Sequence, residues 1–143
     1  MKKTVQNIID HKGSDVWSVD ADVSVFDALE SMADKNIGAV VVTHAGEIVG
    51  IMSERDYARK IALMSRGSRE TPVSEIMTPD PVTAHPADTV TNCMQTMTDN
   101  RFRHLPVVED NQLVGIISIG DVVRAVIEEQ AFLIDQLASY ITG

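Results

Sequence analysis

A chain of 143 residues and 15.6 kDa can form one ordinary domain or two very small ones, and it is long enough to bury a core. Hydrophobic residues make up 44% of the sequence and charged residues 23%, a balance that excludes a disordered protein. The net charge of −9 disfavours binding to nucleic acid, and the single cysteine excludes an internal disulfide or a multi-cysteine metal site.

The first half of the chain predicts the order β-α-β-β-α. Each element is predicted from a local signal: an N-cap residue, apolar residues at the spacing of a helix or a strand, or a turn dipeptide. In chain order the signals are a helical lead-in at 5–8, a strand at Trp17–Val19, a helix capped by Ser24, a strand at Ala39–Val42, a turn at Ala45-Gly46, a strand at Ile48–Met52 and a helix opened by Ser53. That last helix carries Tyr57, Ile61 and Met64.

The second half repeats the first, and this internal repeat is the most informative feature of the sequence. Gly50–Asp56 (GIMSERD) recurs as Gly115–Asp121 (GIISIGD), and the offset of 65 aligns residues 16–61 with 81–126 without a gap. A shift of 68 pairs the lead-in with Val73–Ile76, and the polar residues 65–72 read as a linker. The second copy then has a helix capped by Thr89 and strands at Leu105–Val108 and Leu113–Ile117, joined by a turn at Asp110-Asn111.

These patterns predict an α+β fold, with mixed helices and strands, made of two β-α-β-β-α repeats related by a pseudo-two-fold axis. The predicted repeats occupy residues 1–68 and 69–143. Because each copy has a small set of apolar residues, we expect the two to share one core. Cys93, Met94 and Met97 fall on the core side of a predicted helix and are expected to pack there.

Both copies carry Gly-x-x-Ser-x-x-Asp where a strand ends and a helix begins. In one interpretation this is a capping box, in which the serine accepts from a backbone amide and the acid reaches back. In the other, the helix start suits a phosphate, the glycine permits a close approach, and the aspartate oxygens accept from the two hydroxyls of a ribose. Since both copies keep Gly, Ser and Asp while most other positions differ, the repeat favours the functional interpretation.

The sequence resembles a tandem pair of CBS domains, a regulatory unit also called a Bateman module. The resemblance rests on Val40-Val41-Val42 followed by Ile48–Asp56, and on Arg103–Val108 followed by Leu113–Asp121, and it covers nearly the whole chain. It implies a non-catalytic module that binds AMP, ADP, ATP, NAD(H) or S-adenosylmethionine in the cleft between the repeats. It implies no catalytic cofactor, and no His, Asp or Glu spacing indicates a metal site.

The resemblance also assigns candidate binding residues. It implies that Asp56 and Asp121 bind the ribose and that Ser53 and Ser118 lie near the phosphates. Further candidates in the first strands are Ser18, Val19, Asp20, Thr83, Ala84 and His85. Those at the starts of the second strands are Gly38, Ala39, Arg103 and His104. The last are Arg55 in the motif and its apolar neighbours Ile51 and Ile116.

The two sites are expected to differ in charge, because the resemblance pairs the aspartate of one repeat with the strand start of the other. The Asp56 site then also contains Arg103 and His104. The Asp121 site contains uncharged residues at the matching positions and depends on Arg55 for a positive charge. A charge-assisted hydrogen bond to phosphate contributes about 1.5–3 kcal/mol, so phosphate-rich ligands are expected to favour the Asp56 site.

Three functions stay open. The first is a stand-alone adenine-nucleotide sensor that signals energy or redox state to an unknown partner protein. The second is a protein-interaction module whose nucleotide sites are vestigial. The third, a small hydrolase that uses the two aspartates, has little support because the chain contains no P-loop, His-Glu-x-x-His or Gly-x-Ser-x-Gly motif.

The end of the chain predicts a homodimer. An apolar stripe continues beyond the repeat at Val123, Ile127, Ala131, Ile134, Leu137 and Ile141. The alternative is that this stripe packs back on its own chain. The longest nearly unbroken apolar run, Ile37–Val42, is far shorter than the about 18 residues of a membrane-spanning helix. We therefore expect a cytoplasmic protein that does not contact a membrane.

Overall fold

The computed structural model of the chain describes residues 2–13 and 17–142, so residue 16, where the repeat alignment begins, lies outside them. The helices are α1 (Val5–Lys12), α2 (Val25–Lys35), α3 (Glu54–Tyr57), α4 (Val90–Asn100) and α5 (Ile119–Thr142). The strands are β1 (Ser18–Asp20), β2 (Ala39–His44), β3 (Glu47–Ser53), β4 (Thr78–Pro79), β5 (His104–Glu109) and β6 (Gln112–Ser118). The mixed α/β fold class is confirmed. In the part of the chain that is described, no helix is both long and apolar enough to cross a membrane.

The chain folds into two compact units whose boundaries differ from those of the predicted repeats. The Asp56 unit consists of Trp17–Pro81, and the Asp121 unit combines Met1–Val16 with Val82–Gly143. The boundary predicted at residue 68 separates the two repeats in the sequence. In the structure, however, the lead-in of each repeat belongs to the unit that is formed by the rest of the other repeat. Residues 5–12 therefore pack with the second repeat, and residues 73–79 pack with the first.

The Asp56 unit is built on a four-stranded sheet in the order β1-β2-β3-β4. β1 runs parallel to β2, and the other two pairs are antiparallel. Ser24 caps α2 as predicted, since its Oγ accepts from the Asp27 amide at 3.1 Å. The β2–β3 turn also forms as predicted, because Ala45 and Gly46 adopt the positive φ values, 51° and 81°, that a tight hairpin turn requires.

The helix predicted after Ser53 is shorter and less regular than expected. α3 ends at Tyr57 and continues as a π-helical turn at Ala58–Ala62, in which the Leu63 amide donates to the Ala58 carbonyl. A π turn adds a residue per turn and shifts the side chains that follow it. Ile61 is buried as expected, but Met64, expected on the apolar side, is 65% exposed. The lead-in at Val73–Glu75 is likewise a 3₁₀ turn rather than an α-helix.

The Asp121 unit contains the β5–β6 hairpin, flanked by α1, α4 and α5. The strand predicted at Thr83–His85 is reduced to one parallel bridge between Ala84 and Val107. Pro86 follows directly and has no N–H to extend the ladder. The turn at Asp110-Asn111 forms as predicted, with φ values of 52° and 62°.

Most of the buried side chains that are described fall into two clusters, one in each unit. The cluster of the Asp56 unit includes Val73 and Ile76 from the second lead-in, and that of the Asp121 unit includes Val5, Ile8 and Ile9 from the first. Cys93 and Met97 are buried in the latter cluster and Met94 packs against it, as predicted. Burial, with a smaller effect of Asp88, raises the pKa of the Cys93 thiol to about 11. The expected shared core concerns both units together and stays a prediction.

Candidate functional site

The two motif aspartates are held by the same reciprocal cap. The amide of Ser53 donates to Asp56 Oδ2 at 2.9 Å, and the amide of Asp56 donates to Ser53 Oγ at 3.1 Å. Ser118 and Asp121 repeat both bonds at 2.9 and 3.1 Å. The predicted capping box is therefore confirmed in both copies. It fixes each carboxylate at a strand–helix junction, where the two aspartate side chains are 13% and 14% exposed.

The strand-start candidates lie beside the motif of their own repeat. In the Asp56 unit, Ala39 pairs with Ser53, and the Glu54 amide donates to the Gly38 carbonyl at 3.1 Å. In the Asp121 unit, His104 pairs with Ser118, and the Ile119 amide donates to the Arg103 carbonyl at 2.8 Å.

Each unit therefore gathers its strand start and its capped aspartate at one edge of a hairpin. The pairing across repeats that the resemblance implied stays a prediction.

Lysines beside both aspartates were missed by the sequence analysis. Lys12 Nζ lies 2.7 Å from Asp121 Oδ2 and donates to the Ile116 carbonyl at 3.1 Å. Lys60 Nζ lies 3.5 Å from Asp56 Oδ1 and donates to the Ile76 carbonyl at 2.9 Å. Lys60 could have been found, because it stands four residues after Asp56 on the same predicted helix. Lys12 has no such signal, because it is 109 residues away from Asp121 in the sequence. The role expected for Arg55 stays a prediction.

Charge and burial act on the ionisable groups of the Asp121 unit. Burial alone raises the pKa of Asp121, but the hydrogen bonds from Lys12 and Ser118 and the lysine charge outweigh it and hold this pKa below its usual value. Burial, together with Lys12 and Arg103, lowers the pKa of His104, and the negative charge of Asp121 opposes them. At neutral pH this edge therefore carries an ionised Asp121 and an uncharged His104.

The motif glycines make room for the exchanged lead-ins. A Cβ on Gly50 would lie 2.4 Å from Met77 Sδ and 2.9 Å from the Thr78 carbonyl oxygen. A Cβ on Gly115 would lie 3.0 Å from Ile9 Cδ1. The shift of 68 that pairs the lead-ins also pairs Ile9 with Met77. The close approach that the glycine permits is therefore made by the lead-in of the other repeat.

The remaining candidates spread over the neighbouring strands. Ile51 is buried in β3 opposite Val41, and Ile116 is half-buried in β6 opposite Pro106. On β1, Ser18 and Asp20 are exposed and Val19 is half-buried, and Arg55 is exposed on α3. In the Asp121 unit, Thr83 and His85 are exposed and Ala84 is buried. His85 Nδ1 accepts from the Ala87 amide at 3.0 Å, so its ring is held by its own loop.

Among the residues that the structure describes, one group of metal-ligating side chains comes together that the sequence spacing did not indicate. Donor atoms of Asp20, Asp22 and His44 all lie within 4.8 Å of one another, and all three residues are exposed. The Asp22 amide donates to Asp20 Oδ1 at 2.9 Å. That bond accounts for the local arrangement as a turn at the end of β1, and three exposed side chains do not by themselves define a metal site.

Comparison with known proteins identifies the repeat. The family model described as "CBS domain" matches the chain twice, at residues 7–63 and 73–128. The CBS domain-containing protein CBSX3, mitochondrial, from Arabidopsis thaliana is 46% identical over 136 residues, covering 92% of this chain and 66% of that protein. The chain thus spans just under two thirds of this plant relative. The CBS domain-containing protein YhcV from Bacillus subtilis is 31% identical over 117 residues, covering 82% of this chain and 83% of that protein.

Solved structures agree with the fold. A protein with CBS domains from Burkholderia ambifaria MC40-6 is 43% identical with a TM-score of 0.84, covering 90% of this chain and 96% of that one. A hexameric CBS-CP12 protein from bloom-forming cyanobacteria is 26% identical with a TM-score of 0.79, covering 86% of this chain and 67% of that one. The name of the plant relative places that protein in mitochondria. For this chain, the cytoplasmic location stays a prediction.

Proposed function

Because the chain belongs to the CBS-domain family of regulatory and signal-transduction modules, we propose that it binds an adenosine-containing nucleotide: AMP, ADP, ATP or NAD(H). The observation that carries the proposal is the repeated cap, in which two aspartates 65 residues apart are held by the same pair of hydrogen bonds. The cap and the packing of the lead-ins explain the geometry of each motif, and they hold each carboxylate in one orientation at a strand–helix junction. A ligand that binds these carboxylates gives both copies a further reason to keep the aspartate.

The chemistry of the carboxylates supports a ribose as their ligand. An ionised carboxylate only accepts hydrogen bonds, and two adjacent hydroxyls both donate. The hydrogen bonds from Lys12 and Ser118 to Asp121 both fall on Oδ2, so Oδ1 is the oxygen proposed to accept from the ribose. The depressed pKa keeps Asp121 ionised at neutral pH, which this role requires.

Equilibrium binding to the purified chain tests this function. Calorimetric titration with AMP, ATP, NADH and S-adenosylmethionine should give saturable binding of at least one, and Asp56→Asn and Asp121→Asn should each weaken it. Asp110→Asn, in the exposed β5–β6 turn, is the matched control and should bind as the unchanged chain does. Binding by none of the four ligands, or equal binding by the Asp56→Asn/Asp121→Asn double variant, would refute the proposal. Chromatography of the same mixtures for hydrolysis products tests the hydrolase alternative.

The exposed apolar surface of α5 favours the alternative that the protein is an interaction module. This helix spans 24 residues, about 36 Å, and residues 130–141 are all exposed. Its exposed apolar side chains include Ile134, Leu137 and Ile141, at 65%, 64% and 81%.

We propose that a second copy of the chain covers this surface of α5 and that the protein is a homodimer. A helix face that pairs with itself gives the closed symmetric contact that is commonest among soluble oligomers. Asp135 is the single charged residue among residues 131–141, so two such faces carry little charge to repel each other. The hexameric cyanobacterial relative shows that a protein with this fold assembles with copies of itself. This contact is compatible with the nucleotide proposal, because its residues lie outside the repeated motif.

A further inference from the structure

Two exposed apolar side chains follow the π-helical turn of the Asp56 unit. Leu63 and Met64 come directly after Ala58–Ala62 and are 79% and 65% exposed. In a regular α-helix, Met64 would lie three residues after the buried Ile61 on the same side, but the wider turn moves it away from that side. Because π turns are rare and frequently occur at functional sites, this distortion marks the two side chains as candidates for a contact outside the unit.

The same stretch of chain is strongly basic. Residues 57–69 contain no acidic side chain and four cationic ones: Arg59, Lys60, Arg66 and Arg69. Since the whole chain has a net charge of −9, the residues outside this stretch carry a net charge of −13. We call the exposed side chains of this stretch the basic apolar patch, which consists of Arg59, Leu63, Met64, Arg66 and Arg69.

Two positive charges of this stretch are not balanced by neighbouring acids. Arg66 pairs with Glu75, and the half-buried Lys60 lies near the motif aspartate. Among the described residues, neither Arg59 nor Arg69 forms an ion pair with an acidic side chain. The Arg69 guanidinium lies 3.9 Å from the centre of the Phe26 ring, a contact that uses its face and leaves N–H donors at its edge.

The second repeat does not carry this patch. When the offset of 65 is continued beyond the aligned residues, Leu63 and Met64 correspond to Glu128 and Glu129. These glutamates lie within α5, which is α-helical over its whole length. The fold of a repeat therefore requires neither the π turn nor apolar residues at these two positions.

Hydrogen bonds hold the end of the patch on the Asp56 unit. Thr71 Oγ1 donates to the Gly67 carbonyl at 2.6 Å. The Phe26 amide donates to the Ser68 carbonyl at 2.9 Å. A surface that is already ordered loses less conformational entropy when a partner binds to it.

We propose that the basic apolar patch docks a short acidic segment of a partner protein. Apolar side chains of that segment cover Leu63 and Met64, and its carboxylates pair with Arg59 and Arg69. An exposed methionine suits this role, because its flexible side chain adapts to apolar surfaces of different shape. The proposal goes beyond nucleotide binding and does not depend on it.

The charge distribution favours a short acidic segment over a membrane or a nucleic acid. Charges in physiological salt are screened over about 8 Å, so a short segment on the patch is affected mainly by the positive charges there. An extended polyanion reaches beyond the patch to the rest of the chain, whose net charge of −13 repels it.

Fluorescence polarisation with a labelled synthetic peptide tests the docking. The probe has about twelve residues, with leucine and phenylalanine at helical spacing and aspartate and glutamate between them. A reference peptide carries asparagine and glutamine in place of the acids. The acidic peptide should bind at least tenfold more tightly than the reference, and added salt should reduce this difference.

Variants of the full chain locate the contact. Arg59→Gln should weaken binding of the acidic peptide about threefold or more, and the double variant Leu63→Ser/Met64→Ser more than tenfold. Arg124→Gln is the matched control, since Arg124 aligns with Arg59 in the second repeat, and it should bind as the unchanged chain does. Because Leu63 and Met64 are exposed, the double variant should keep the urea midpoint of the unchanged chain.

Several results would overturn the proposal. These are no binding of the acidic peptide, equal binding of the reference peptide, or a double variant that binds as well as the unchanged chain. Sedimentation with vesicles of phosphatidylcholine and phosphatidylserine should leave the protein in solution, and vesicle binding that the double variant abolishes would assign the patch to a membrane instead. Light scattering should give the double variant the mass of the unchanged chain, and a lower mass would assign the patch to a second copy.

Discussion

The ammonium of Lys12 lies 2.7 Å from Oδ2 of Asp121, although the two residues are 109 positions apart. The contact ties the lead-in of the first repeat to the motif of the second. It also neutralises a carboxylate whose side chain is only 14% exposed. Lys60 stands near Asp56 in the other unit, but at 3.5 Å and from the same helical segment. The two motifs therefore share a backbone cap and differ in how their charge is balanced.

Replacing Lys12 by Gln should destabilise the protein most at neutral pH and least in acid. Lys12 holds the pKa of Asp121 below its usual value against the effect of burial. A depressed carboxyl pKa contributes stability above the unfolded-state pKa of 3.8, and that stability is lost as pH falls through the folded-state pKa. Without Lys12 this pKa is less depressed, so the variant lacks part of that stability at neutral pH and has less of it to lose in acid. Urea unfolding at pH 7, 5 and 4 should show a loss of about 1 kcal/mol at neutral pH that becomes smaller as the pH falls.

Lys60→Gln is the matched control for this experiment. Its longer contact with Asp56, 3.5 Å against 2.7 Å, predicts a loss within about 0.5 kcal/mol at neutral pH. Equal effects of the two substitutions would show that the short Lys12 contact has no special role.

Replacing Gly50 by Ala should be costlier than the same change at Gly115. The added Cβ at Gly50 meets both Met77 and the Thr78 carbonyl oxygen at less than 3.0 Å, and backbone of a paired strand cannot move away. At Gly115 it meets the end of the Ile9 side chain at 3.0 Å, which can rotate. We expect a loss of about 2–3 kcal/mol for Gly50→Ala and about 1 kcal/mol or less for Gly115→Ala. Chemical denaturation of both variants measures the difference, and a larger loss at Gly115 would contradict this account.

Local signals were enough to predict most of the fold. The caps at Ser24 and Thr89 and the hairpin turns at Ala45-Gly46 and Asp110-Asn111 all form where expected. Each depends on side chains within four residues of one another, which a single sequence displays. The helix after Ser53 was predicted less well, because its π turn is not encoded in the apolar spacing.

What the sequence did not reveal is the exchange of the lead-ins. The repeat placed residues 1–12 with the first copy, whereas Ile9 packs over Gly115 and Lys12 pairs with Asp121. An internal repeat shows which residues are equivalent but not which copy they pack against. The same cause explains why the sequence analysis missed cations near Asp121. Lys3 and Lys12 come from the exchanged segment, whereas Arg124 lies on α5.

The exchange predicts which fragment of the chain can fold. A fragment of residues 1–68 lacks Val73 and Ile76, which are fully buried in the Asp56 unit, and exposes the apolar face of α1. A fragment of residues 17–81 contains the whole compact unit. We expect the second fragment to unfold more cooperatively than the first in urea, followed by circular dichroism, because only the second contains the complete buried cluster of its unit. The reverse result would mean that the lead-ins do not determine the folding units.

The last prediction concerns the exposed face of α5 and the proposed homodimer. Light scattering at micromolar concentration should give twice the chain mass of 15.6 kDa. Leu137→Glu places a charge at the centre of the apolar stripe and should weaken association at least tenfold, because a charge buried without a partner is costly at an interface. Ser139→Glu is the control, since it adds the same charge on the opposite side of the helix and should leave the dimer intact. A mass of one chain for the unchanged protein, or equal dissociation by both substitutions, would rule out this face as the contact between two copies.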